Sequence, residues 1–182
     1  MAIILIHGKK RSGKNHFGAE LQRQLEARGV ASEIMAFADP VKDILAQTFS
    51  VSLEELDNLK NHEAEICSGE DYLTDFRVAM QRFATEAMRK YFGETVWVDL
   101  METRIRASKA QVVIIPDFRF LSEYFHGATT INIINAAADS TDEHRSENEL
   151  RDFSFGHIVH NTGLPDSEHS VRTFLETLEL PL

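Results

Sequence analysis

The chain has 182 residues, a formal net charge of −10 at pH 7 and 43% hydrophobic residues, enough to bury a sizeable core within one domain. An acidic balance of this size excludes a general nucleic-acid-binding surface, and Cys67, the only cysteine, excludes an intrachain disulfide and fits a reducing compartment. No apolar run approaches membrane-spanning length and the start MAIILIHGKK lacks a signal peptide's leader, so the expectation is a soluble cytoplasmic protein without membrane or nucleic-acid partners.

The opening run AIILIH, with Ile3, Ile4 and Ile6, reads as a strand buried on both faces. The turn Gly8-Lys9-Lys10-Arg11-Ser12-Gly13-Lys14 follows at once, and then an amphipathic helix, His16 to Arg28, with Gly29 as its C′ residue. Together they form the G-x-x-x-x-G-K frame of a phosphate-binding loop in the strand–loop–helix context that the motif requires. Gly8 and Gly13 permit backbone conformations closed to other residues, so successive N–H groups can curve round a phosphate. The helix beginning near Lys14 aims its positive end at the same place, and Lys14 adds a full charge for the β- and γ-phosphates. Where a Ser or Thr hydroxyl ordinarily holds Mg²⁺, this chain has Asn15, followed by His16.

Ile34 to Ala38 is expected as a second strand, with Asp39 as N-cap and Pro40 at N1 of a helix through Phe49. Ser52-Leu53-Glu54-Glu55 is a capping box for a further short helix, and the polar stretch Asn61 to Tyr72 reads as a mobile loop. A long helix is expected from about Thr74 to Tyr91, with Phe76, Met80, Phe83, Ala87 and Tyr91 as its apolar stripe. Val96 to Ala107 suits another helix, Gln111 to Ile115 a buried strand, Thr129 to Ile134 a fourth strand and His157 to Val159 a fifth. Pro165 to Leu178 closes as a helix. Strands alternating with helices imply an α/β fold with an open, mostly parallel sheet and ligands at the carboxyl ends of its strands.

Several residues near those ends could carry chemistry, each beside a plainer alternative. Asp117 ends the strand QVVII, where an acid in this kind of fold holds Mg²⁺ or its waters; otherwise it caps a helix over Phe118 to Phe125. Arg119 suits bidentate clamping of a phosphate, or an i,i+4 pair with Glu123. On the long helix, Arg77 suits an acceptor phosphate and Gln81 a base edge, while Arg82, Glu86 and Lys90 make an ordinary solvated ladder. Asp39 and Lys42 follow a strand end expected to face the same crevice. The charged segment Ala138 to Asp152 reads either as a solvated loop or as a lid carrying Arg145 and Arg151 over the phosphates. His144, His157, His160 and His169 show no convincing metal-ligand spacing, and no Ser-His-Asp or Cys-His set points to covalent catalysis.

The motifs GKKRSGK, RVAMQRFATEAMR (Arg77 to Arg89), DFRFLSE (Asp117 to Glu123), SENEL (Ser146 to Leu150) and HNTG (His160 to Gly163) follow one another in this order. The ordered set spans nearly the whole chain and resembles the phage-type deoxynucleoside monophosphate kinases, members of the P-loop nucleoside monophosphate kinase group. That resemblance implies a single P-loop kinase domain over residues 1–182, with acceptor-binding helices at about 39–92 and a lid at about 138–152. It implies phosphoryl transfer from ATP to a deoxynucleoside monophosphate with Mg²⁺, in the host cytoplasm if the chain is phage-encoded, and leaves a homodimer open. By motif position, Gly8, Lys9, Lys10, Arg11, Ser12, Gly13 and Lys14 would hold the ATP phosphates, with Asn15 and His16 just beyond. Asp117 and Arg119 would line the reacting phosphates, Asn15 and Asp117 the metal, and Arg77, Gln81 and Glu86 the acceptor side. Arg145 would belong to the lid, and Asn161 and Gly163 would lie near the adenine. Asn15 departs from the family pattern, in which an Asp commonly follows the loop lysine. Animal-type phosphomevalonate kinases look similar across the same motifs and give an alternative acceptor. A nucleotide-binding switch without a transfer activity is a further alternative.

Overall fold

The structure, a computed structural model, describes residues 1–61, 65–67, 73–138, 145–161 and 164–178. The chain forms two compact units, Met1–Ala36 with Leu100–Leu182, and Phe37–Asp99.

The first unit is built on a five-stranded sheet of β1 (Ala2–Gly8), β2 (Ser32–Ile34), β5 (Val112–Ile115), β6 (Thr129–Ile134) and β7 (His157–His160), in the order β2-β5-β1-β6-β7. Every pairing is parallel, with Leu5 opposite Ile115 on one side and Ile6 opposite Ile131 on the other. β1 is central because its side chains are apolar on both faces. Ile4 and Ile6 join Val112, Ile114, Ile131 and Ile133 in a buried cluster with Phe17, Leu21 and Leu25 of α1 (Lys14–Ala27) and Val171, Phe174 and Leu175 of α8 (Leu164–Thr177). The alternate residues Leu5, Val113 and Ile115 fall on the opposite face by the period-two rule and are equally inaccessible. Each such side chain contributes roughly 1.5–3 kcal/mol by leaving water.

α1 ends as its sequence foretells. Gly29 takes a left-handed φ of 77°, and Gly29 and Val30 donate to Glu26 and Leu25, the paired bonds of a Schellman cap. The chain moves from β1 towards the β2 side of the sheet, returns through β5 beside β1, and then passes to the β6 side. The carboxyl end of β1 is therefore the point where the strand order reverses, the place at which open α/β sheets form a ligand crevice.

The second unit holds α2 (Asp39–Phe49), α3 (Leu53–Asn61), the antiparallel pair β3 (Glu65–Cys67) and β4 (Leu73–Asp75), and α4 (Phe76–Gln81). α4 runs on through a π-helical stretch, Arg82–Arg89, into α5 (Lys90–Phe92), and α6 (Val96–Ala107) begins here. The capping box at Ser52 is present, with Glu55 N–H donating to Ser52 Oγ at 3.1 Å and Ser52 N–H to Glu55 Oε2 at 2.8 Å.

Five expectations are corrected. The second strand is Ser32–Ile34 rather than 34–38, because only those residues pair with β5 before the chain turns away. Asp39 is the first helical residue and Ala38 the N-cap; the Asp39 carboxylate thus serves the helix dipole from inside the first turn. The stretch read as a loop from 61 to 72 contains β3, and its remaining positions 62–64 and 68–72 lie outside the described residues. No α-helix covers 118–125, where a single 3₁₀ turn, Leu121–Glu123, stands instead. Finally, the long helix starts at Phe76, not Thr74, and is not uniformly α. Its i→i+5 turns widen the spiral, so a stripe spaced at 3.6 residues loses phase. Phe76 and Met80 are buried as expected, but Tyr91 is 73% exposed and Arg89 turns inward, donating from Nη1 to Glu94 O at 2.6 Å.

This phasing makes a stability prediction. Phe76→Ala should cost about 3–5 kcal/mol, whereas Tyr91→Ala should stay within about 0.5 kcal/mol of wild type in urea denaturation. A comparable loss at both positions would restore the uninterrupted stripe.

Candidate functional site

The loop between β1 and α1 is held from within. A Cβ on Gly8 would sit 2.7 Å from Ile133 O and overlap Ser12 Oγ, so only glycine lets the chain leave the sheet this closely. Gly13 has φ 95° and ψ 13°, a left-handed conformation, and stands as N-cap of α1 with no side chain to cap it. Ser12 N–H donates to Lys9 O at 3.1 Å and the side chain is wholly buried, yet Ser12 Oγ has no hydrogen-bond partner among the described residues. The first bond into α1 is Phe17 N–H to Gly13 O at 2.9 Å, so the N–H groups of Lys14, Asn15 and His16 have no acceptor within the helix. Lys14 Nζ donates to Lys9 O at 3.0 Å, which holds the ammonium against the loop. Asn15 and His16 are exposed. From the far side, Asn161 Nδ2 donates to Ser12 O at 2.8 Å.

The segment after β5 runs beside the end of β1. Phe118 N–H donates to Ile6 O at 3.2 Å and His7 Nδ1 donates to Phe118 O at 2.9 Å, which ties Phe118, between the half-buried Asp117 and Arg119, to the end of β1. The Arg119 guanidinium forms an ion pair with Glu147 Oε1, and Glu147 is only 3% exposed. The pair expected within Arg119–Glu123 is thereby corrected. The Glu123 carboxylate instead accepts from the backbone N–H groups of Arg119 at 2.7 Å and Phe120 at 3.0 Å, since no helix forms to align the two side chains.

Glu147 lies in α7 (Arg145–Asn148), and this short helix is fastened to the loop. Lys9 Nζ donates to Glu147 O at 2.5 Å and to Asn148 Oδ1 at 3.1 Å. Arg145 Nε donates to Glu149 Oε2 at 2.5 Å, and its guanidinium lies 5.3 Å from the Phe120 ring centroid. Ser146, Glu147 and Leu150 are buried, so residues 145–150 are neither a solvated loop nor held clear of the site. Of the rest of the expected lid, Arg151 and Asp152 form an exposed turn after α7, and 139–144 with His144 lie outside the described residues.

His7 was not singled out by sequence reasoning, although a polar residue directly before Gly8 in an otherwise apolar strand is a visible signal. Its ring stacks on Phe155 with centroids 5.2 Å apart. Burial lowers its pKa to about 4, the Phe118 hydrogen bond opposing this and the Arg119 and Lys14 charges adding to it. The imidazole is therefore neutral at pH 7. Glu147 and Asn148 were passed over too, because contacts to Lys9 and Arg119 that span the chain leave no local spacing.

The acceptor-side candidates belong to the second unit. Asp39 opens α2, and Lys42 Nζ pairs with Asp57 Oδ1 at 2.6 Å, which ties α2 to α3. Gln81 is half-buried at the end of α4, and Glu86 is exposed in the π-helical stretch beside exposed Arg82 and Lys90. Arg77 lies in α4, and its side chain, like Gly163, is outside the described residues. Among the described residues no cluster of three or more His, Cys, Asp or Glu side chains could hold a metal, and no helix is long and apolar enough to cross a membrane.

A parallel sheet flanked by helices, with a glycine-bounded cationic loop between its central strand and the following helix, makes this an α/β fold. No protein-family model matches the chain, and no curated protein matches it in sequence. Among solved structures, it is similar to cobyrinic acid a,c-diamide synthase from Mycobacterium smegmatis, solved with bound ADP and magnesium and again with a bound ATP analog and magnesium. In each case the TM-score is 0.42 and the identity 13%, over 100% of this chain and 84% of that one.

The state of His7 predicts a pH dependence. The unfolded imidazole takes its proton near 6.5 and the folded one only near 4, so protonation favours unfolding between those values. The stability that neutral His7 contributes is present above pH 6.5 and should be lost as pH falls to about 4. Thermal melting from pH 7 to 4 should show a shallower decline for His7→Asn than for wild type, and parallel curves would contradict the assignment.

Proposed function

We propose that this protein is an ATP-dependent phosphotransferase that moves the γ-phosphate of ATP to a deoxynucleoside 5′-monophosphate, giving the diphosphate and ADP. The observation that carries the reading is the loop Gly8–Lys14, closed on itself at the amino end of α1, with the buried Ser12 hydroxyl lacking a partner among the described residues. Oriented N–H groups, a helix dipole and Lys14 together suit a polyphosphate, because phosphoryl transfer depends mainly on positioning and on neutralising spread negative charge.

The residues fit their expected work in unequal degree. Lys14 and Arg119 are held by Lys9 O and by Glu147, and phosphate oxygens would exchange for these partners. Asn15 offers an amide oxygen and Asp117 a carboxylate, both hard donors suited to Mg²⁺ or its waters. That ion, when bound, would neutralise charge on the β- and γ-oxygens. Neutral His7, buried and stacked on Phe155 directly before Gly8, would add no charge beneath the phosphates. On the acceptor side Arg77 would bind the monophosphate dianion, and Gln81 would read the base edge. Glu86 and Asp39 would border the sugar and base, and Lys42 would act while still tied to Asp57. Arg145 would close over the phosphates from α7, and Gly163 would lie near the adenine.

The deciding experiment is coupled ADP release from ATP across all deoxy- and ribonucleoside monophosphates, with phosphomevalonate included. Turnover with deoxynucleoside monophosphates supports the proposal. Turnover with phosphomevalonate alone would change the acceptor, and ADP release indifferent to every acceptor would leave a slow nucleotide-hydrolysing switch.

Two variants sharpen the reading. Lys14→Ala should lower kcat by roughly 10²-fold or more with the melting temperature retained, as expected when a donor aimed at developing charge is removed; near-normal turnover would remove the loop from the chemistry. Asn15→Asp should raise kcat and lower the Mg²⁺ concentration for half-maximal rate while the acceptor KM holds, since a carboxylate binds the ion more strongly than an amide. A slightly higher melting temperature with unchanged kinetics would instead assign Asn15 to the helix dipole alone.

A further inference from the structure

We infer that Asn161 is a positioning residue for the phosphate loop, acting through the Ser12–Gly13 peptide, rather than a reader of the adenine base. The inference rests on the reading of Gly8–Lys14 as a polyphosphate site.

Asn161 directly follows β7, and its backbone N–H donates to Ile134 O at 2.8 Å, so its position is set by the sheet. Its side-chain nitrogen donates to Ser12 O at 2.8 Å. A carbonyl can only accept, so the amide nitrogen must face the loop, and this fixes the orientation of the whole carboxamide. In a trans peptide the C=O and the following N–H point in opposite directions. Drawing Ser12 O towards Asn161 therefore points Gly13 N–H, on the opposite edge of the same peptide, away from Asn161.

The two groups also fit by shape. A Cβ on Gly13 would overlap Asn161 Nδ2, so the carboxamide lies directly against the residue whose left-handed φ of 95° makes the turn into α1. Asn161 thereby supports this left-handed turn from outside while Ser12, on the same peptide, is wholly buried, its hydroxyl without a hydrogen-bond partner among the described residues. The bond is long-range, joining the last strand of the sheet to the loop after the first, and it spares the loop from having to choose its conformation when a ligand arrives.

The test separates phosphate positioning from base recognition with a probe that has no base. Isothermal titration would give the Kd of inorganic tripolyphosphate and of ATP, each with Mg²⁺, for wild type, Asn161→Ala and Asn161→Leu. The leucine variant keeps the branched shape without the donor. Loss of one hydrogen bond should weaken both ligands by the same factor, roughly three- to tenfold, in both variants, with melting temperatures near that of wild type. Weaker ATP binding with unchanged tripolyphosphate binding would overturn the inference in favour of base recognition. Unchanged affinity for both ligands would overturn it as well. Wild-type protein that binds neither ligand would defeat the polyphosphate site itself, and the inference with it, a result distinguishable from the other two.

Discussion

The register of β1 between β5 and β6 is the constraint on which the site depends. Side chains alternate faces along a strand, so a slip of one residue would turn Ile4 and Ile6 away from α1 and α8 and move Gly8 out of its gap beside Ile133 O. The alternate residues Leu5, Val113 and Ile115 are also buried, so a slip would force both packed faces to repack with side chains of a different shape. The loop begins where this fixed ladder ends. Its geometry is inherited from hydrophobic packing several residues away, and the glycines then allow the chain to exploit it.

Charge is arranged against the background of an acidic chain. Lys9, Lys14 and Arg119 converge near the carboxyl ends of β1 and β5, and each is held by an oxygen of this same chain. A buried carboxylate such as Glu147 is costly to desolvate and persists because Arg119 is its partner. The arrangement keeps the cations from repelling one another in a low-dielectric region and fastens α7 to the loop. The same feature explains the neutral imidazole of His7: buried beside two cations, a further positive charge would find too little solvent to support it.

The second unit shows how a local pattern can be right in kind and wrong in phase. Phe76 and Met80 belong to the core of that unit, as their spacing implies. The π-helical stretch then rotates the later turns of the helix, so that Arg89 takes the inward position and Tyr91 the outward one. Nothing in the residues Arg82 to Arg89 marks that change, because helix propensity reports the existence of a turn and not the span of its hydrogen bonds.

The sequence by itself determined the elements whose cause is local. The apolar run of β1, the glycine-bounded loop and Lys14, the cap at Gly29, the capping box at Ser52 and the buried strand before Asp117 are all set by neighbours within a few residues. Tertiary structure alone decided the partners: Glu147 rather than Glu123 for Arg119, Asn148 for Lys9, Asn161 for Ser12 and Phe118 for His7. Each of these joins residues from distant strands or loops, brought together only when the sheet orders as β2-β5-β1-β6-β7. A spacing rule reaches one or two turns along the chain, whereas a buried charge or amide takes whichever complementary group the folded sheet delivers.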